Sequence, residues 1–208
     1  MAGKRKRRLL RDRSIESELK FRVSGVRDHA KLRAALRERG AHLDGRYREE
    51  NYRFNGPGKS TRQTSLRLRV LDGGPRGFLT AKGPARFEGR VKIREETEIA
   101  VSDAHATLDL LEQLGFQVAW SYPKRRAMWL LDGVTITLDV LEFGWFVELE
   151  GPVAILPEMA RTLGLDPSLA LRESYSALAR AYARRRRPPA KATVTPVAPT
   201  PSVAAAPA

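Results

Sequence analysis

The chain contains no cysteine and only three histidines. The first absence excludes disulfides and thiolate metal sites. The second, with His29, His42 and His105 scattered through helix or loop contexts, argues against an imidazole metal centre or a histidine-based triad and makes them plain surface or helix residues. No stretch of about 18 apolar residues is present, so no helical membrane span is expected. The basic run Lys4-Arg5-Lys6-Arg7-Arg8 is followed by only Leu9 and Leu10 before charge returns, which is not a signal-peptide pattern. A cytoplasmic location is the expectation. Gly56-Pro57-Gly58-Lys59-Ser60 lacks the spacing of a phosphate-binding P-loop.

Acidic side chains are outnumbered, 24 to 38, giving a formal net charge of +14. The excess sits at the ends. Residues 1–13 carry seven basic side chains and Asp12, and residues 184–208 carry five basic side chains, so setting aside +6 and +5 leaves about +3 for the body. Nucleic-acid binding is therefore expected only through the tails. A length of 208 residues with 42% apolar content suits one domain with a substantial core. The boundaries read as a basic flexible arm (1–13), a folded domain (14–187) and a Pro/Ala-rich tail (188–208) that cannot build a core.

The body is organised around Ile15 to Val23. At a period of two, Ile15, Leu19, Phe21 and Val23 share one face and Glu16, Glu18, Lys20 and Arg22 the other. The pattern recurs: Arg67 and Arg69 alternate with Leu66, Leu68 and Val70, and Arg94, Glu96 and Glu98 with Ile93, Thr97 and Ile99. Lys124 and Arg126 precede Met128; Thr135, Thr137 and Asp139 alternate with Val134, Ile136, Leu138 and Val140; Glu148 and Glu150 alternate with Trp145, Val147 and Leu149. Like charges at this spacing repel. The repulsion is relieved if acidic strands share divalent cations and basic strands share a polyanion.

Between these strands, Arg27 to Arg39 reads as an amphipathic helix stopped by Gly40, and a second helix runs from an N-cap at Ser102 through Leu114 to Gly115. Further strands are predicted at Tyr47 to Asn55, Gly77 to Lys82, Gln117 to Tyr122 and Lys124 to Leu131, with Asp132-Gly133 as a hairpin turn before Val134 to Leu141. A short helix ending near Gly164 and another from Ser174 to Arg184 complete the reading. The halves look alike: an acidic pair, a helix, a glycine and a basic pair (Arg67/Arg69, then Lys124/Arg126) occur in each, which suggests an internal duplication.

About eight strands with one charged face each fit an α+β fold, an eight-stranded antiparallel barrel, closed or nearly so, with a charged lumen and helices packed outside. The motifs then resemble those of the CYTH superfamily, the triphosphate tunnel metalloenzymes, from about Glu16 to Tyr175. The resemblance rests on Glu16-x-Glu18-x-Lys20, Leu66-Arg67-Leu68-Arg69, Thr80-Ala81-Lys82-Gly83-Pro84, Arg94-Glu95-Glu96-Thr97-Glu98, Lys124-Arg125-Arg126, Leu138-Asp139 and Gly144 to Glu150.

The resemblance implies that Lys20, Arg22, Arg67, Arg69, Lys82, Arg94, Lys124 and Arg126 bind a triphosphate. It makes Glu16, Glu18, Glu96, Glu98, Asp139, Glu148 and Glu150 candidate ligands of Mg²⁺ or Mn²⁺, with Glu16, Glu18, Glu148 and Glu150 foremost. Glu16, Glu18 and the basic residues other than Arg22 are the implied catalytic set. The expected activity is hydrolysis of the terminal phosphate of tripolyphosphate, ATP or thiamine triphosphate by a monomer or homodimer. The alternatives are an adenylyl cyclase making cyclic AMP and pyrophosphate, and a non-catalytic binder of polyphosphate or nucleic acid.

Overall fold

The computed structural model describes residues 14–58 and 64–186, and among these residues are nine strands and four α-helices. The expected basic arm and Pro/Ala tail lie outside the described residues, as does part of the Gly56 to Ser60 loop. The order is β1 (Ser14–Val23), α1 (Val26–Glu38), β2 (His42–Asn55), β3 (Ser65–Leu71), β4 (Gly77–Lys82), β5 (Arg86–Glu88), β6 (Val91–Val101), α2 (Ala104–Gln113), β7 (Gln117–Leu131), β8 (Val134–Leu141), β9 (Gly144–Glu150), α3 (Leu156–Thr162) and α4 (Tyr175–Arg186).

All pairings are antiparallel. Hydrogen bonding runs β1-β9-β8-β7-β2-β3-β4-β6, and β6 pairs back onto β1, closing eight strands into a barrel; β5 lies outside it, against β6. Closure removes the exposed sheet edges. The β1/β9 register sets Glu18 opposite Glu150 and Lys20 opposite Glu148, and the β1/β6 register sets Glu16 opposite Arg94. Charged faces of neighbouring strands therefore point to the same side, into the lumen.

The apolar faces point outward and are covered. Leu32 and Leu36 of α1, and Leu156, Met159 and Ala160 of α3, join Leu19, Phe21, Trp129, Ile136, Val147 and Leu149 in the larger core. A second core packs Ala104 and Leu111 of α2 with Phe54, Leu68 and Val70. α4 forms a unit of its own from Glu173 onward.

Several local expectations are corrected. Gln117 to Leu131 is one continuous strand, not two. Pro123 is accommodated because β7 pairs only with β2 there, its ladder with β8 starting at Arg125. β2 begins at His42, five residues before the predicted start, and carries a register shift between Leu43 and Gly45. The cap of α2 is Asp103, whose carboxylate accepts from Ala106 N–H at 2.9 Å, rather than Ser102. Ile15 is 65% exposed despite its place in the apolar alternation, since the outer cover begins at Ser17 and Leu19. His29 is a helix residue, as expected, but a buried one: its Nε2 lies 3.0 Å from the Phe146 carbonyl oxygen and its ring meets the Trp145 ring edge-on. The Asp132-Gly133 turn is as expected, both residues having positive φ.

Candidate functional site

The lumen gathers charges that water would otherwise stabilise. Glu18, Lys20, Glu49, Lys82, Lys92, Lys124, Arg126, Asp139 and Glu148 are all buried. Burial on this scale is tolerable only with partners, and the strands supply them across the barrel. The sign-sorted faces seen in the sequence thus meet faces of opposite sign.

Three groups of contacts follow the barrel wall. In the first, Lys82 Nζ binds Glu16 at 2.8 Å and Glu96 at 2.6 Å, and Arg94 Nε reaches Glu16 at 3.4 Å. In the second, Lys20 Nζ lies 3.1 Å from Glu148 and 3.6 Å from Glu18, and Lys92 holds Glu18 at 2.9 Å. In the third, Arg126 grips Asp139 through Nε at 2.7 Å and Nη2 at 2.6 Å and also reaches Glu148 at 2.6 Å. Lys124 contacts Glu49 at 2.9 Å and Asp139 at 3.5 Å, and Arg69 bridges Glu49 at 3.6 Å and Glu98 at 3.0 Å. Arg67 lies 3.7 Å from Glu98 and 3.4 Å from the Thr80 hydroxyl.

Against this pairing, one carboxylate stands apart. Glu150 makes no ion pair with the described residues, and its oxygens lie within 4.8 Å of those of Glu16 and Glu18. Burial, followed by the nearby charges of Glu16 and Glu148, pushes the Glu150 carboxyl up to about 7. Burial would raise Glu16 and Glu18 too, but Lys82 holds the former and Lys20 the latter down to about 2. Burial and the hydrogen bond shared with Glu16 lift Glu96 to about 7. Three carboxylates converging with one short of positive charge are a hard-oxygen donor set that fits Mg²⁺ or Mn²⁺.

The basic side has its own unmet demand. The Nε–H groups of Arg67 and Arg69 are buried without an acceptor, and the Asn51 Oδ1 and Thr137 Oγ1 atoms are buried without a hydrogen-bond partner. Buried guanidinium donors without acceptors are rare, and phosphate oxygens would satisfy them in fork geometry.

Of the foremost metal candidates, Glu16, Glu18 and Glu150 are brought together, whereas Glu148 is engaged by Lys20 and Arg126. Asp139, Glu96 and Glu98 likewise sit on lysine or arginine. Arg22 is away from the ion-pair network: its Nη1 donates to the Phe143 carbonyl at 2.8 Å and its guanidinium lies 4.6 Å from the Phe146 ring centre. Two ion-paired lumen residues escaped the sequence reading, Glu49 and Lys92. Both were accessible in principle: Glu49-x-Asn51-x-Arg53 is a polar face on a predicted strand, and Lys92 precedes Arg94 by two.

Comparison with known proteins follows this geometry. The sequence profile of the CYTH domain matches residues 14–163. A Methanocaldococcus jannaschii protein provisionally named an adenylate cyclase is 28% identical over 150 residues, which span 72% of this chain and 83% of that one. A solved structure of a Pyrococcus horikoshii protein superposes with a TM-score of 0.66 at 29% identity, covering 80% of this chain and 99% of that chain. A Hippeastrum protein, provisionally an adenylyl cyclase and described as having a dominant triphosphatase activity, superposes with a TM-score of 0.62 at 18% identity over 80% of this chain and 96% of its own.

Proposed function

Since the chain belongs to the CYTH domain family, we propose that it is a divalent-metal-dependent enzyme that binds a triphosphate in its barrel and hydrolyses the terminal phosphate. The observation that carries this reading is the coexistence, in one lumen, of the Glu16/Glu18/Glu150 cluster and the unsatisfied Arg67 and Arg69 donors. One demands positive charge and the other negative. A metal-chelated polyphosphate meets both demands at once.

In this account Glu16, Glu18 and Glu150 would hold the ion, and Mg²⁺ or Mn²⁺ would supply Lewis acidity toward the phosphoryl oxygens. Arg67, Arg69, Lys82, Arg94, Lys124, Arg126 and Lys20 take the phosphate oxygens, loosening their present pairs with carboxylates as they do so. Water attacks the terminal phosphorus, and the bond to the bridging oxygen breaks. The arginines neutralise the charge that accumulates on the leaving diphosphate. Glu96, lifted to about 7, is suited to accept the proton of the attacking water at neutral pH.

A second reading, cyclisation of ATP, has an observation of its own. Trp120 and Tyr122 lie on the lumen side of β7 with rings stacked at 4.5 Å and 19°. Trp120 is half-buried and could take a nucleobase. The name of the M. jannaschii relative points the same way. Product analysis after incubation with ATP and Mn²⁺ separates the two. ADP with phosphate supports the hydrolase; cyclic AMP with pyrophosphate replaces it by the cyclase; no turnover of ATP, tripolyphosphate or thiamine triphosphate overturns both.

A further inference from the structure

On the outer face of the barrel, a cavity of about 350 Å³ opens between α1 and strands β2, β7, β8 and β9. Arg33, Arg46, Arg48 and Arg125 stand around it, over a floor that includes Leu138, Val140 and Trp145. The lumen machinery uses none of these four arginines, although Arg126 of the lumen network also lines the cavity.

Arg46, Arg48 and Arg125 are exposed at its mouth and Arg33 is half-buried. Arg48 and Arg125 are direct cross-strand partners, the geometry in which like charges destabilise a sheet. None of the four guanidinium groups makes an ion pair or hydrogen bond with the described residues. The acid at the rim, Asp72, accepts from the Arg48 backbone N–H at 2.8 Å. Four unpaired cations around an apolar, partly aromatic floor call for a ligand that is anionic at one end and flat and apolar at the other.

We propose that this cavity binds a mononucleotide, with its phosphate on the arginines and its base against Trp145 and the adjoining apolar floor. The volume is of the size used for small-molecule recognition. A nucleic-acid strand fits less well. The adjoining groove of about 520 Å³, which shares Arg48, Arg125 and Val140, continues past Glu50 and Glu142, carboxylates that repel a continuing phosphodiester chain.

The assignment is independent of the lumen chemistry and is tested by calorimetric titration of the full chain with AMP. Saturable binding is expected, unchanged by saturating tripolyphosphate and weakened about tenfold or more in Arg48→Gln/Arg125→Gln, because two charge-assisted contacts are lost. Both positions are on the exterior, so this variant should melt like the wild type and keep its response to tripolyphosphate. Ribose 5-phosphate should bind more weakly than AMP. Absence of saturable binding, competition by tripolyphosphate, an unaffected double variant or equal affinity for ribose 5-phosphate would each overturn the proposal. So would sedimentation showing that this face is covered by a second copy of the chain.

Discussion

Glu148 and Glu150 are two residues apart on one strand, yet their substitution should act in opposite directions. Glu148 is shared by Lys20 and Arg126, so Glu148→Gln strips a partner from two buried cations. A loss of about 3 kcal/mol is expected in urea unfolding at pH 7. Glu150 has no cationic partner, and Glu150→Gln removes a carboxylate that repels Glu16 and Glu148. That variant should be at least as stable as the wild type without metal, and should lose its response to Mn²⁺. Equal destabilisation by both would contradict the division of labour between them. Glu49 belongs with Glu148. It sits among Lys124, Arg69 and Arg126, which together hold its carboxyl well below the usual range against the opposing effect of burial. Glu49→Ala should cost about 3–5 kcal/mol by the same measurement.

At the scale of elements, the helices are outer cover and should be felt as packing. Leu36 of α1 is fully buried in the larger core, so Leu36→Ala should cost about 2–5 kcal/mol while the lumen contacts stay intact. Chemical denaturation read beside tripolyphosphate binding checks this: lost affinity at full folding would mean that α1 shapes the lumen directly. Strand patterning was the most legible feature of the sequence, because alternation of polar or charged with apolar residues on β1, β3, β6, β8 and β9 has a period that nothing but an extended chain satisfies. Glu49 was overlooked for a physical reason. The inward face of β2 mixes Glu49, Asn51 and Arg53, so it shows no sorting by sign, and its meaning appears only when Lys124 and Arg69 arrive from the neighbouring strands. Lys92 was missed similarly, since its partner Glu18 is 74 residues away.

The duplication inferred from sequence is also refined at this scale. Each half does run strand, helix, three strands: β1-α1-β2-β3-β4 and β6-α2-β7-β8-β9. The basic pairs, however, fall on β3 in one half and β7 in the other, which are not equivalent strands. Element order is repeated, and the chemistry of the lumen is divided asymmetrically between the halves.

For the whole molecule, the lumen links stability to pH and metal. Glu16 and Glu18, held near 2, stabilise the fold above the ordinary carboxylate range and lose that contribution as pH falls toward 2. Glu96 and Glu150, lifted to about 7, do the reverse: their contribution is full below about 4.5 and is lost as pH rises through 7. A divalent cation can replace the missing proton on Glu150. Mn²⁺ should therefore raise the melting temperature more at pH 8 than at pH 6, and this difference should vanish in Glu150→Gln. A shift that is the same at both pH values would remove Glu150 from the metal site. Among the described residues no helix is long and apolar enough to cross a membrane.

The most direct test of the central claim is phosphate release from tripolyphosphate, followed against Mn²⁺ concentration at neutral pH in the wild type and in Glu150→Gln. The account predicts turnover that requires the cation, saturates with it, and falls by at least about a hundredfold in the folded variant, roughly the weight of one charge-stabilising group in a transition state. Turnover without a divalent ion, or full activity in Glu150→Gln, would contradict it.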